Sequence, residues 1–138
     1  MKTYLLLFFL SPLFVCSQSN SLNFGTNNTL DVVTWNLEWF PKNGNITIDS
    51  LKSIIEKIDA DVYALQEIDN IGSFNVLKNQ LLGYSGLVKN TSNLNLAFLY
   101  KNSVTIDSSY SILNDYNYVF AGRTPFVIDL NYNGMNVS

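Results

Sequence analysis

The sequence predicts an α/β domain, and three observations carry that prediction. Residues 30–35 form a β-branched and aromatic run; apolar residues then recur at helical spacing from Ile48 to Ile58; a second apolar run follows at residues 62–65. That is the order strand, helix, strand, with a crossover long enough for parallel pairing. From Tyr84 onward, short apolar runs alternate with Asn, Ser, Gly and Lys turns, the pattern of successive strands. Hydrophobic residues make up 47% of the 138 residues and charged residues 14%, which is a globular composition in a chain that admits one domain at most.

The chain opens with Lys2, an apolar run from Leu5 to Leu10, the helix-breaking Pro12 and a small residue, Ser17. This is the pattern of a secretory signal peptide over residues 1–17, with cleavage expected after Ser17. The apolar run is too short to span a bilayer, so no transmembrane segment is expected in the mature chain. Cys16 raises lipid attachment as the lesser alternative, against which the bulky Val15 counts. The expected location is secreted, periplasmic or cell-surface. Residues 18–29, rich in Ser and Asn, read as a flexible leader, and residues 30–138 as the folded domain. Cys16 is the only cysteine, so the mature domain must be held by its core without disulfides.

The first strand is expected to end at Asn36, with a loop at residues 41–44. Thr47 or Asp49 can cap a helix that buries Ile48, Leu51, Ile54, Ile55 and Ile58 and turns Lys52, Glu56 and Lys57 to water. The second strand closes on Gln66-Glu67. Phe74, Leu77, Leu81 and Leu82 suggest a second helix stopped by Gly83. Further strands are expected at residues 84–88, 94–100, 104–113 and 126–130. Asn131-Tyr132-Asn133-Gly134 reads as a hairpin turn into a strand starting at Met135. The sequence stops three residues into that strand, and the expectation is a truncated domain. Triplets of the N-x-S/T type begin at Asn27, Asn45, Asn90 and Asn136, as an Asn-rich composition produces by itself.

The formal charge is −3 and the isoelectric point about 4.6. Such a balance counts against non-specific nucleic-acid binding through a basic patch. It leaves phosphodiesters open as substrates, because a bound divalent cation supplies positive charge locally. Two strands end in polar residues, Trp35-Asn36 and Gln66-Glu67. If these strands are neighbours, Asn36 and Glu67 emerge together at one mouth of a sheet, where ligands of α/β proteins commonly bind. A carboxamide and a carboxylate are hard oxygen donors suited to Mg2+ or Mn2+. A Trp-Asn pair at a strand end also serves as a plain turn, and a Glu after a strand as a solvated charge.

The segment Asp31-Val32-Val33-Thr34-Trp35-Asn36-Leu37 resembles the first motif of the endonuclease/exonuclease/phosphatase (DNase I-like) family, and residues 59–67, closing on Gln66-Glu67, resemble its second. Residues 96–101, an apolar strand ending in Tyr100-Lys101, and Arg123-Thr124-Pro125-Phe126, an Arg-x-Pro lead-in to a central strand, resemble later segments of the same family. Together the likeness covers about residues 30–132. It implies the N-terminal half of a four-layer α/β sandwich, incomplete as given, contributing about one sheet with its helices and leaving an apolar inner face uncovered. It implies Glu67 as the metal-binding glutamate, Asn36 beside the metal and phosphate, and Arg123 as either a phosphate contact or a loop anchor. The implied cofactor is Mg2+ (or Mn2+), and the implied partner is a phosphate-ester substrate, with DNA, RNA, inositol phosphates and sphingomyelin among those the family takes. No stable protein partner is inferred.

The family's later Asp-x-Asn and Ser-Asp-His motifs are missing, and the chain contains no histidine, so no side chain titrates near neutrality by default. The leading reading is a fragment of a secreted metal-dependent phosphoesterase, inactive alone. A secreted binding domain that keeps the fold without the chemistry is the second. A carbohydrate-binding β domain, suggested by 14% aromatic residues, is disfavoured by the helix between the first two strands.

Overall fold

The computed structural model describes residues 25, 26, 28–91 and 93–138. The signal peptide expected at residues 1–17, and residues 18–24 of the leader, lie outside the described residues. Strand β1 (Val32–Phe40), helix α1 (Asn45–Ile58) and strand β2 (Val62–Ile68) form the expected strand–helix–strand unit, with β1 and β2 parallel. Helix α2 (Ile71–Gln80) leads to β3 (Tyr84–Lys89) and β4 (Asn95–Lys101), which complete a four-stranded sheet in the order β1-β2-β4-β3. Strands β5 (Thr105–Ser111), β6 (Phe126–Tyr132) and β7 (Met135–Val137) form a second, antiparallel sheet.

The two-residue period of β2 sorts these elements into layers. Tyr63 and Leu65 point into a core shared with Ile48, Leu51 and Ile55 of α1 and Phe74 and Leu77 of α2. Val62 points the other way, into a core with Val104, Ile128, Leu130 and Tyr132 at the second sheet. The described residues thus make three layers: helices, four-stranded sheet, three-stranded sheet. One sheet was expected from this chain, and two are present, so the inner face of the first is partly covered. An apolar groove of about 310 Å³ remains between them, lined by Leu30, Val32, Val62, Phe98, Ile128 and Leu130 among others.

Helix α1 departs from expectation at its start. Gly44 occupies the cap position at φ 60° with no side-chain cap, and Thr47 instead accepts a hydrogen bond from the Asn43 backbone N–H at 3.0 Å. Ile54 is 36% exposed rather than part of the core. Helix α2 is capped by Asn70, whose side chain accepts from the Ser73 N–H at 2.8 Å, and it ends before Gly83, leaving Leu82 exposed in the turn. On β3 a Cβ at Gly86 would stand 2.9 Å from the Phe74 ring and 3.2 Å from the Phe98 carbonyl, so helix and sheet close only over a glycine. Asn133 and Gly134 both have positive φ, as a two-residue hairpin requires, and the predicted turn into β7 forms there.

Candidate active site

β1 does not end at Asn36, as expected, but continues to Phe40 through an irregularity. The parallel register pairs Asn36 with Gln66 and next pairs Phe40 with Ile68, so Leu37, Glu38 and Trp39 lie opposite Glu67 alone. Glu38 and Trp39 have φ of 47° and 62°. β2 is irregular at the same level. Leu65 pairs with Ala97 and Ile68 with Asn95, so Gln66 and Glu67 share the single residue Leu96 of β4, and Glu67 has φ 61°. Bulges re-aim side chains and concentrate beside functional sites. A left-handed conformation in a residue with a Cβ costs about 1 kcal/mol or more and persists only where its surroundings impose it.

The surroundings here are well braced. Phe40 is fully buried, and its carbonyl accepts from the N–H groups of Asp69 and Asn70 at 3.0 and 3.1 Å. The Ile68 carbonyl accepts from buried Asn95 Nδ2 at 2.8 Å, and Asn95 Oδ1 accepts from the Thr91 N–H. Both sides of the kinked segment are therefore fixed by hydrogen bonds to other elements.

Within this frame Asn36 Nδ2 donates to Glu67 Oε1 at 3.0 Å. The amide orientation follows from its other bond: Oδ1 accepts from the Glu38 N–H at 2.9 Å, so the NH2 end must face the carboxylate. Gln66 sits on the same face, its Nε2 donating to Thr34 Oγ1 at 3.2 Å and to the Ala64 carbonyl at 2.9 Å. Asn36 is exposed and Glu67 half-buried, so the pair stands open to solvent at the C-terminal edge of two parallel strands. Asn36 supplies the only hydrogen bond to the Glu67 carboxylate among the described residues.

Arg123 lies in the loop before β6, half-buried, its backbone N–H bonded to the Phe120 carbonyl at 2.9 Å. Phe126 packs on Phe98 at 5.5 Å between ring centroids and lines a small cleft with Ala64 and Gln66. This places the Arg123 loop on the facing sheet at the same end as Asn36 and Glu67. No hydrogen bond or ion pair among the described residues joins the Arg123 side chain to either of them. Asn36 and Glu67 thus come together as a contact pair, and Arg123 joins them only at the level of the mouth. Gln66 is marked in the sequence only as part of the Gln66-Glu67 strand end, with no role of its own, and Asn95 and the positive-φ kinks are not marked at all. Their roles depend on three-strand register, which no local pattern encodes.

The described residues form a mixed α/β sandwich with an amide–carboxylate pair at one mouth. The profile of the Endonuclease/Exonuclease/phosphatase family matches residues 33–135, and the chain belongs to that family. A humanized D. rerio TDP2 carrying 14 mutations is similar in fold, with a TM-score of 0.66 at 18% identity over 78% of this chain and 46% of that one. D. rerio TDP2 complexed with single strand DNA product gives a TM-score of 0.68 at 18% identity over 78% of this chain and 43% of that one. The chain spans less than half the length of these two structures. No curated protein matches it in sequence.

Proposed function

We propose that this chain forms the metal-holding mouth of a secreted phosphoesterase that cleaves phosphate esters with Mg2+ or Mn2+. The observation that carries the reading is the 3.0 Å bond from Asn36 to Glu67 on two kinked strand ends, which holds a carboxylate open to solvent beside a positioned amide.

The donor set fits such a cation. No cluster of three His, Cys, Asp or Glu side chains is present among the described residues. Mg2+ does not require one, because it keeps several waters and commonly takes one or two carboxylates plus substrate phosphate. Glu67 is the residue that would hold it, through the oxygen that Asn36 leaves free. Asn36 keeps the carboxylate turned outward and retains one lone pair on Oδ1. Bound there, the cation would polarise a phosphoryl oxygen and stabilise the leaving oxyanion. Arg123 contributes a guanidinium at the same end, suited to a phosphate oxygen. Single-stranded DNA is the first substrate to try, because the D. rerio TDP2 structure is complexed with single strand DNA product. Export rests on the pattern of residues 1–17, and intact Met1 in material exported by a secreting host, seen by mass spectrometry, removes it.

A second reading, a binding domain without chemistry, is favoured by the absence of histidine from the sequence. Titration of the 15N-labelled chain with Mn2+ tests the metal claim directly. Amide resonances of Asn36, Glu38 and Glu67 are expected to broaden first. Glu67→Gln is expected to abolish that selectivity, and Asn36→Asp, which sets a second carboxylate beside the first, to tighten binding. Broadening that persists in Glu67→Gln, or that centres elsewhere, overturns the assignment.

A further inference from the structure

Lys89 is the last residue of β3 and pairs with Leu96 of β4, the residue that faces the Gln66–Glu67 bulge. It is therefore two strands from Glu67, about 10 Å at the usual strand spacing. Its neighbours Tyr84 and Val88 pack toward the helices and Leu87 toward the second sheet, so Lys89, two residues from Leu87, points inward. There Nζ donates to the Thr124 carbonyl at 2.7 Å and to Thr124 Oγ1 at 2.6 Å. Thr124 is 4% exposed, and its hydroxyl also bonds Asn114 Oδ1 at 3.3 Å. Asn114 in turn bonds the Ser111 carbonyl. A single ammonium thus pins both ends of the segment between β5 and β6 to the first sheet.

Lys42, Lys52 and Lys101 pair with carboxylates, and Lys57, Lys78, Lys89 and Arg123 have no carboxylate partner among the described residues. Lys57 and Lys78 lie on the last turns of the helices, whereas Lys89 turns its ammonium between the sheets onto a buried threonine. Burial pushes the Lys89 ammonium below its ordinary value, the signature of a desolvated cation. A strut needed only for stability is cheaper as a neutral donor or a paired ion. Uncompensated positive charge at a mouth is favourable when an anion arrives.

We propose that Lys89 is a positioning residue of the phosphate-binding mouth, which fixes the Arg123 loop through Thr124 and adds positive charge where a phosphate ester is received. The inference rests on the phosphoesterase reading above. Its test uses inorganic phosphate as the probe, in metal-free buffer, followed by the amide shifts of Arg123 and Thr124. The parent chain is expected to give saturable shifts. Lys89→Met is expected to weaken binding about tenfold, as loss of a close charge does, and Lys89→Arg to stay near the parent. Thr124→Val, which keeps the backbone acceptor and loses the hydroxyl, is expected to fall between them, and it carries the test if Lys89→Met does not fold. A Lys89→Met protein that melts earlier but binds phosphate like the parent makes the residue a strut only and overturns the proposal. So does a parent chain without saturable shifts. Failure of the metal reading is seen separately: Mn2+ broadening absent at Glu67 while phosphate binding still depends on Lys89 overturns that reading and leaves the clamp standing.

Discussion

Glu67 carries two demands that oppose each other. Its carboxylate has to stand at the mouth, and its backbone is held at φ 61°, where a Cβ is disfavoured by about 1–2 kcal/mol. Glycine has no such penalty. Glu67→Gly and Glu67→Ala both delete the carboxylate, but only the first relieves the strain. Denaturant unfolding is expected to show the Gly variant more stable than the Ala variant by about 1 kcal/mol, the reverse of their usual order in strands. Equal stabilities, or Ala ahead, would mean that Glu67 is not strained as the register implies. Neither variant is expected to retain the selective Mn2+ broadening. The pair Asn36–Glu67 was legible in the sequence because each residue closes an apolar run, and parallel pairing of those runs forces the two ends together. The kink that aims Glu67 was not, because it arises from a mismatch of register among β1, β2 and β4 rather than from any residue type.

Among the elements, α1 and the strands were readable because their apolar residues repeat at the right period. Ile48, Leu51 and Ile55 each bury a side chain worth about 1.5–3 kcal/mol, and that spacing overrides the uncapped start at Gly44. The segment from Ile112 to Arg123 misled the reading of β5: its apolar residues suggested strand as far as residue 113, yet β5 stops at Ser111 and Leu113 turns to φ 57° into a short 3-10 turn. The junction of α1, β2 and β3 offers the sharpest test at this scale. Tyr63 is fully buried, accepts from the Ala60 N–H at 3.0 Å and donates to the Ile55 carbonyl at 3.1 Å, and Tyr84 packs beside it with 6.1 Å between ring centroids. Burial raises both phenols above their ordinary value of 10.0. The unfolded chain therefore ionises first, and the stability these groups contribute is fully present below about pH 10 and lost as pH climbs through the raised values. Tyrosinate absorbance and denaturant midpoints measured together across the alkaline range are expected to show ionisation of these two only with unfolding. Tyr63→Phe leaves the Ala60 N–H without its acceptor and is expected to cost about 1–3 kcal/mol at neutral pH. A neutral-pH midpoint equal to that of the parent would show that water replaces the phenol.

At the scale of the whole molecule, the architecture separates a part that is built from a part that is not. The helix–sheet core is closed, with Phe40, Ile55, Tyr63, Ile68, Phe74, Leu77 and Leu99 fully buried. The sheet–sheet core is thinner, its groove lined by Leu30, Val32 and Phe98 stays open, and Val32 on edge strand β1 is 59% exposed. The mouth shows the same division. It holds one aimed carboxylate and one amide, but the sequence offers no histidine, and no cluster of three acidic, imidazole or thiol side chains forms among the described residues. Hydrolysis requires a positioned water, charge stabilisation at the phosphoryl oxygens and a group that takes or gives the proton near neutral pH. Glu67 is committed to the cation in this reading, and no histidine stands in the sequence to exchange the proton. Binding and turnover should therefore separate in this chain: Mn2+ and phosphate are expected to bind at the mouth, while DNA, RNA and a simple phosphodiester remain uncleaved. The measurement is product formation by the purified 138-residue chain with Mg2+ or Mn2+, against EDTA and Glu67→Gln controls. A metal-stimulated, EDTA-sensitive activity that disappears in Glu67→Gln would show that a residue already in this chain handles the proton.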